Sequence, residues 1–326
     1  MVKPFPLSIF LLIAAVLWSG CGSRDSLVPE YDAPPKLITS HEIKRGSETL
    51  KPFRLQFFRD TLWVSYSQKA HIDLFDPHFQ KIGSISLKAP APIAPTDFFV
   101  AESTRFVTEH FKSFVGAFDR SGNLGHSFTR MPGDTINLAP VVIIYYGGVA
   151  YVADVLQKAV LAVSMVTAEG ITEPGELITG IPSDGVESPG FPSALFVTID
   201  GRLLVGDADH GDIKAYSCTG DYMYRFDSVA ADSAVMPQAF DIDQIIDPSM
   251  QDTNSFDPSN IRIMGRLHLV DAKNARVHMF NPVGRYISSY PDDAVLSKPS
   301  DVAIDRTRRT IYVADSEAAR IFVFKY

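Results

Sequence analysis

Six times along the chain a proline opens a short extended segment whose apolar residues fall two apart. The prolines are Pro52, Pro95, Pro140, Pro192, Pro237 and Pro299. Three and five residues beyond them stand Leu55/Phe57, Phe98/Val100, Ile143/Tyr145, Leu195/Val197, Phe240/Ile242 and Val302/Ile304, all apolar. The two-residue spacing puts each pair on one face of a strand, and the β-branched and aromatic side chains supply the propensity.

Each proline-led segment is followed by a second strand that ends in a short signature. The signature positions are Tyr66, Glu109, Asp154, Asp207, Asp271 and Asp315. Six residues further on, Ile72, Val115, Val160, Ile213, Val277 and Ile321 open a third strand. That strand ends in Phe75, Phe118, Val163, Tyr216, Phe280 and Phe324. Turn-forming stretches such as Asp119 to Gly122 and Asn281 to Gly284 then reverse the chain. Every copy therefore reads as an antiparallel meander.

The repeats begin 43, 45, 52, 45 and 62 residues apart, close to the roughly 40 to 50 residues of one four-stranded propeller blade. The spacing predicts a six-bladed β-propeller over residues 36–326. The longest interval holds an insertion at about 247–264, rich in Asp, Asn, Ser and Pro, which predicts a rim loop. The last copy lacks a fourth strand, and residues 38–52 parallel the approach to the final repeat at 286–299. The segment from Leu37 to Ile43 is therefore expected to close the last blade, removing free sheet edges.

The run from Pro299 to Asp305, with Ile311 to Asp315 and Ala319 to Phe324, resembles an NHL repeat. The pattern returns at Leu269 to Val277 and more loosely in the copies that start at Pro192 and Pro140. The resemblance implies an all-β, NHL- or TolB-like six-bladed propeller. Relatives of this kind include binding scaffolds, lyases and lactonase-like enzymes, so the fold does not set the activity.

Residues 1–20 show a cation at Lys3, an apolar run from Leu7 to Leu17 and small residues before Cys21. The run is too short to span a bilayer and has the layout of a secretory signal. Trp18-Ser19-Gly20-Cys21 resembles the bacterial lipoprotein box, which implies lipid modification at Cys21. Residues 21–35, with Pro29, Pro34 and Pro35, read as a tether. Gly22 resembles outer-membrane sorting. The expectation is a monomeric domain on a bacterial cell envelope, facing the periplasm or the cell surface. With Cys21 lipidated, Cys218 is the one thiol left; no cysteine motif surrounds it, and a buried packing role is expected.

The chain carries 38 acidic and 30 basic residues, a formal net charge of −8, and no basic block. Neither nucleic acid nor an anionic membrane surface is therefore expected to be bound by the domain, since phosphate recognition needs clustered cations. The recurring acids at Asp154, Asp207, Asp271 and Asp315 point to a turn role, accepting backbone N–H groups. The stretch Asp207 to Asp212 superficially resembles a calcium loop, but no bidentate Glu follows. None of the eight histidines pairs with another at metal-ligand spacing on one element. No cofactor is expected, with a divalent ion such as calcium the one candidate weighed.

Two residues after three consecutive prolines around the ring stand Asp301, Arg54 and Asp97, with Gln56 and Asp241 two residues further along their strands. This set suits a polar ligand at the channel mouth or, alternatively, a structural ion-pair network. The function expected is a noncatalytic binding or scaffold module for an envelope protein, peptide or glycan. The alternative is a metal-assisted lactonase or a lyase with its site in the central channel.

Overall fold

A computed structural model describes residues 33–130, 136–168, 171–181, 187–226, 229, 235–246 and 263–326. The predicted signal, Cys21 and the tether up to residue 32 lie outside the described residues, as does the insertion at 247–262. Six antiparallel sheets form the ring. Their innermost strands are β3 (Pro52–Phe58), β7 (Asp97–Val100), β11 (Pro140–Tyr146), β15 (Pro192–Val197), β19 (Pro237–Ile246) and β23 (Pro299–Asp305). The second strands are β4 (Thr61–Tyr66), β8 (Arg105–Glu109), β12 (Val149–Asp154), β16 (Leu203–Asp207), β20 (Ile263–Asp271) and β24 (Thr310–Asp315), each ending on the signature residue. In β20, Ile263 and Met264 pair with Ile246 and Ile245. The predicted insertion is thus shortened at its end, because a longer hairpin satisfies those backbone groups.

The third strands β5 (His71–Phe75), β9 (Phe114–Phe118), β13 (Ala159–Ala168), β17 (Asp212–Tyr216), β21 (Arg276–Phe280) and β25 (Arg320–Lys325) follow the second by the expected offset. Phe75, Phe118, Tyr216, Phe280 and Phe324 are buried at or near their ends, whereas the buried Val163 lies mid-strand, because β13 runs on to Ala168 in a longer hairpin with its neighbour in the sheet. They fill the wedges between neighbouring blades, each worth roughly 1.5 to 3 kcal/mol of apolar burial. Blades one to five are completed by β6 (Lys81–Ser86), β10 (Leu124–Phe128), β14 (Ile171–Ile181), β18 (Tyr222–Arg225) and β22 (Tyr286–Tyr290).

The sixth blade is completed by β1 (Lys36–Arg45), which pairs antiparallel with β25 from Lys36↔Lys325 to Glu42↔Arg320. The leading segment therefore closes the ring, and a short β2 (Glu48–Leu50) extends that sheet beyond it.

The prolines have a positional reason. In five blades the proline pairs with the signature residue, as in Pro140↔Asp154 and Pro299↔Asp315, and the register shifts immediately after it. Proline is tolerated there because it begins a strand at a bulge, where its missing N–H breaks no ladder bond. In the same five blades the residue after the signature donates its N–H to the carbonyl before the proline, for example Ala208 N to Phe191 O at 2.9 Å and Ser67 N to Lys51 O at 3.2 Å. The signature acids clamp this junction. Asp315 accepts from Ser297 and Lys298 ahead of the proline and from Glu317 and Ala318 in the following turn.

Asp207 does the same with Gly190, Phe191, Asp209 and His210, and adds Lys214 Nζ at 2.6 Å. The Lys214 ammonium and these donors hold the Asp207 carboxyl well below the usual range despite the burial that opposes them. The predicted turn role is therefore also a tie to the inner strand. Where the signature residue is not aspartate, other groups serve: in blade one Tyr66 donates its hydroxyl to Asp73 at 2.9 Å, and in blade two, where the residue is Glu109, Thr96 Oγ1 accepts from His110 N at 2.9 Å.

Candidate functional site

The innermost strand of every blade has one unpaired edge, and the six edges face one another across the channel. Unpaired N–H and C=O groups there need partners. The sequence supplies them from the neighbouring blade. Asp301 Oδ2 accepts from Leu55 N at 2.6 Å, Asp97 Oδ2 from Ile143 N at 2.9 Å, and Asp241 Oδ2 from Ile304 N at 2.9 Å. Gln56 Oε1 accepts from Val100 N at 2.6 Å. The rule is positional: a side chain two or four residues past its proline reaches the N–H three or five residues past the next.

Five seams of the ring are stitched in this way once Ser193, whose hydroxyl donates to Pro237 O at 2.6 Å, is added. The seam between blades three and four is filled instead by Val142, Ile144, Leu195 and Val205.

Arg54 crosses the channel at the end where the inner strands begin. Its guanidinium donates to Thr96 O, Gln238 O and Ser300 O at 3.2, 3.0 and 3.2 Å, carbonyls of blades two, five and six. Its Nε lies 3.6 Å from Asp97 Oδ1. Arg54, Asp97 and Asp301 are only 6, 8 and 6% exposed. Burial pushes Asp97 up to about 6 against the opposing pull of Arg54. Burial also pushes Asp301 up to about 7, with Arg54 again opposing and Asp97 adding like-charge repulsion. Asp241 is raised for the same reason, with Arg306 working against it.

All five residues nominated by the sequence therefore line one channel. The structure brings Asp301, Arg54 and Asp97 together at its inner end, with Gln56 and Asp241 one step outward along the walls.

The channel encloses about 290 Å³. Its walls are uneven: Gln56, Asp241 and Arg306 form a polar side, and Phe99, Ile144 and Phe196 an apolar one. At the end where the inner strands finish stand Phe58 and Tyr146. A second cavity of about 410 Å³ opens beside it, shares Gln56, Phe58, Phe99 and Tyr145, and runs over Glu102 to Thr104. Arg306, which donates Nε and Nη2 to Ile242 O at 3.0 and 2.7 Å, went unnoticed in the sequence because it lies beyond the repeated strand positions.

Among the described residues, no group of three or more His, Cys, Asp or Glu is placed to hold a metal ion. His268 is buried between the hydroxyls of Tyr290 and Tyr326, and burial lowers its pKa to about 3. His278 donates Nε2–H to Asp271 Oδ2, 3.0 Å away. Both are packed imidazoles. Cys218, expected to be buried, is instead exposed, because it sits at the tip of the turn between β17 and β18 where the chain leaves the sheet.

Residues 296–324, in the sixth blade, match the NHL repeat family. Among solved structures the chain is similar to virginiamycin B lyase from Staphylococcus aureus, with TM-score 0.55 and 13% identity over 88% of this chain and 99% of that one. A catalytically inactive variant of the same lyase, with one histidine replaced by alanine and solved with quinupristin, gives TM-score 0.56 and 14% identity over 88% and 99%. A streptogramin B lyase gives 0.55 and 14% over 88% and 87%. No curated protein matches the chain. At such identities the likeness establishes the fold: a six-bladed β-propeller carrying an NHL repeat.

Proposed function

We propose that the protein is a noncatalytic binding propeller of a bacterial cell envelope, held by lipid at Cys21, that takes an envelope protein, peptide or glycan at the outer end of its channel. One observation carries this reading. The acidic and amide side chains of the channel are committed to neighbouring backbone N–H groups, whereas Phe58, Phe99, Tyr145 and Tyr146 are left as partly open aromatic surface around the mouth. Aromatic walls with a few polar groups suit recognition.

A lyase or metal-assisted lactonase is the second reading. It draws on the similar lyases and on two channel carboxyls raised toward neutrality, a pattern also found at catalytic sites. Against it, the solved lyase loses activity with a single histidine, and no described residue lining this channel is a histidine.

Incubation with quinupristin, with and without added divalent metal ions, followed by chromatography and fragmentation mass spectrometry, separates the two. Quinupristin recovered with unchanged retention and fragmentation supports binding without turnover, and a new product, whether isomeric or of different mass, overturns it. A photo-crosslinking residue at Tyr146 is expected to capture an envelope component that the same residue on the outer face of β6 does not.

A further inference from the structure

The face of the ring where the inner strands begin carries exposed apolar side chains on four consecutive blades. Phe111, in the single helical turn His110–Lys112 of blade two, is 91% exposed, and Leu156 in the corresponding turn of blade three is 64% exposed. Phe191 and Met236, each 41% exposed, immediately precede the prolines that open β15 and β19. They share this face because the turns after the second strands bond directly to the residues before the prolines, as in Ala208 N to Phe191 O and Ala272 N to Met236 O.

Cations accompany three of the four. Lys112 follows Phe111, Lys158 follows Leu156 by two residues, and Lys273 adjoins the Ala272 that bonds to Met236. All three lysines are exposed and, among the described residues, have no ion-pair partner. Among the described residues near this arc, the exposed acids Glu187 and Asp209 both belong to blade four. The arrangement is notable in a chain whose formal net charge is −8.

The apolar groups stand singly, one per blade, two in turns after second strands and two directly ahead of inner strands, separated by polar residues. A folded protein partner would have to match each projection with its own pocket. A bilayer interface needs no such match, because it deforms around each tip while lysines meet the headgroups. We infer that this face lies on an anionic phospholipid surface, with Phe111, Leu156, Phe191 and Met236 entering the headgroup region and Lys112, Lys158 and Lys273 at the phosphates. The contact does not depend on lipid at Cys21. It would turn the aromatic channel mouth, on the opposite face, toward the aqueous side.

The ring is complete within residues 36–326, so residues 33–326 can be tested without the leading segment. Co-sedimentation is measured with vesicles of phosphatidylcholine containing phosphatidylglycerol and with vesicles of phosphatidylcholine alone. The expected result is binding to the anionic vesicles that weakens with salt. It should fall about tenfold or more in Phe111→Ser/Leu156→Ser and in Lys112→Glu/Lys158→Glu. All four positions are exposed, so both variants should keep the parental melting temperature. Absence of binding to anionic vesicles, or binding that both variants retain, overturns the inference. Capture of a protein through Phe111 without vesicle binding would likewise assign this face to a protein partner.

Discussion

Replacing Arg54 by Met tests the electrostatics of the channel directly. The guanidinium serves carbonyls of three blades and neutralises Asp97 at 3.6 Å. At about pH 8 its loss leaves buried, ionised Asp97 and Asp301 without their shared cation, and breaking a buried pair in this way costs about 3 to 5 kcal/mol. At about pH 5 both carboxyls hold protons in the folded state, since they titrate near about 6 and about 7. Only the three carbonyl bonds are then lost, for roughly 1 to 3 kcal/mol. Urea unfolding of residues 33–326 can be followed through Trp63, which is buried in the first blade and is the sole tryptophan of that segment. A loss equal at the two pH values, or below about 1 kcal/mol at the higher one, would refute the assignment of Arg54 as the charge that holds the ring's inner end.

Three further outcomes follow from the same geometry. Because Asp97 and Asp301 titrate above their unfolded value of about 4, wild-type stability should decline as pH rises from about 4 to about 7, by up to about 1.4 kcal/mol per pH unit for each group. Asp301→Asn should flatten that slope in denaturation profiles, and an unchanged slope would show that another group sets it. Asp207→Ala removes the closest anion from the buried Lys214 ammonium, leaving it Ser188 O at 3.1 Å and Asp212 Oδ1 at 3.4 Å, and should cost about 3 kcal/mol in thermal unfolding; adding Lys214→Met should recover part of that loss. Gly122→Ala places a Cβ 2.2 Å from Ser86 O at φ +79 and should cost more than about 2 kcal/mol, whereas Gly147→Ala, at φ +59 in open space, should cost only about 1 kcal/mol. Equal effects at the two glycines would contradict the packing of β6 against that turn.

The blades were legible in the sequence because each one solves the same local problem with the same residue types. The proline, the signature acid and the aromatic end of the third strand recur at fixed offsets, so their roles could be read without any long-range contact. The seams were not legible in the same way. That Asp241 meets Ile304 N, or Gln56 meets Val100 N, depends on the stagger between adjacent blades, which no spacing within one repeat encodes. The five channel residues could be nominated by position, but a ligand set and a set of backbone caps look alike until the neighbouring strand is in place. Cys218 was misjudged because composition suggests burial while the turn exposes it. The apolar arc from Phe111 to Met236 was invisible because its members lie in turns or just ahead of the prolines, outside the repeated strand pattern.

A ring fastened by β1 against β25 links residues such as Ser40 and Arg320, 280 positions apart along the chain. The entropy of bringing such distant partners together grows only with the logarithm of the separation, so tens of extra residues add only a few tenths of a kcal/mol to it. The clasp can therefore tolerate the long interval inside blade five, and hairpin tips elsewhere around the circumference are free to diversify. What it cannot tolerate is loss of either half of the fastening, since any fragment without both leaves two raw β-edges where there should be none.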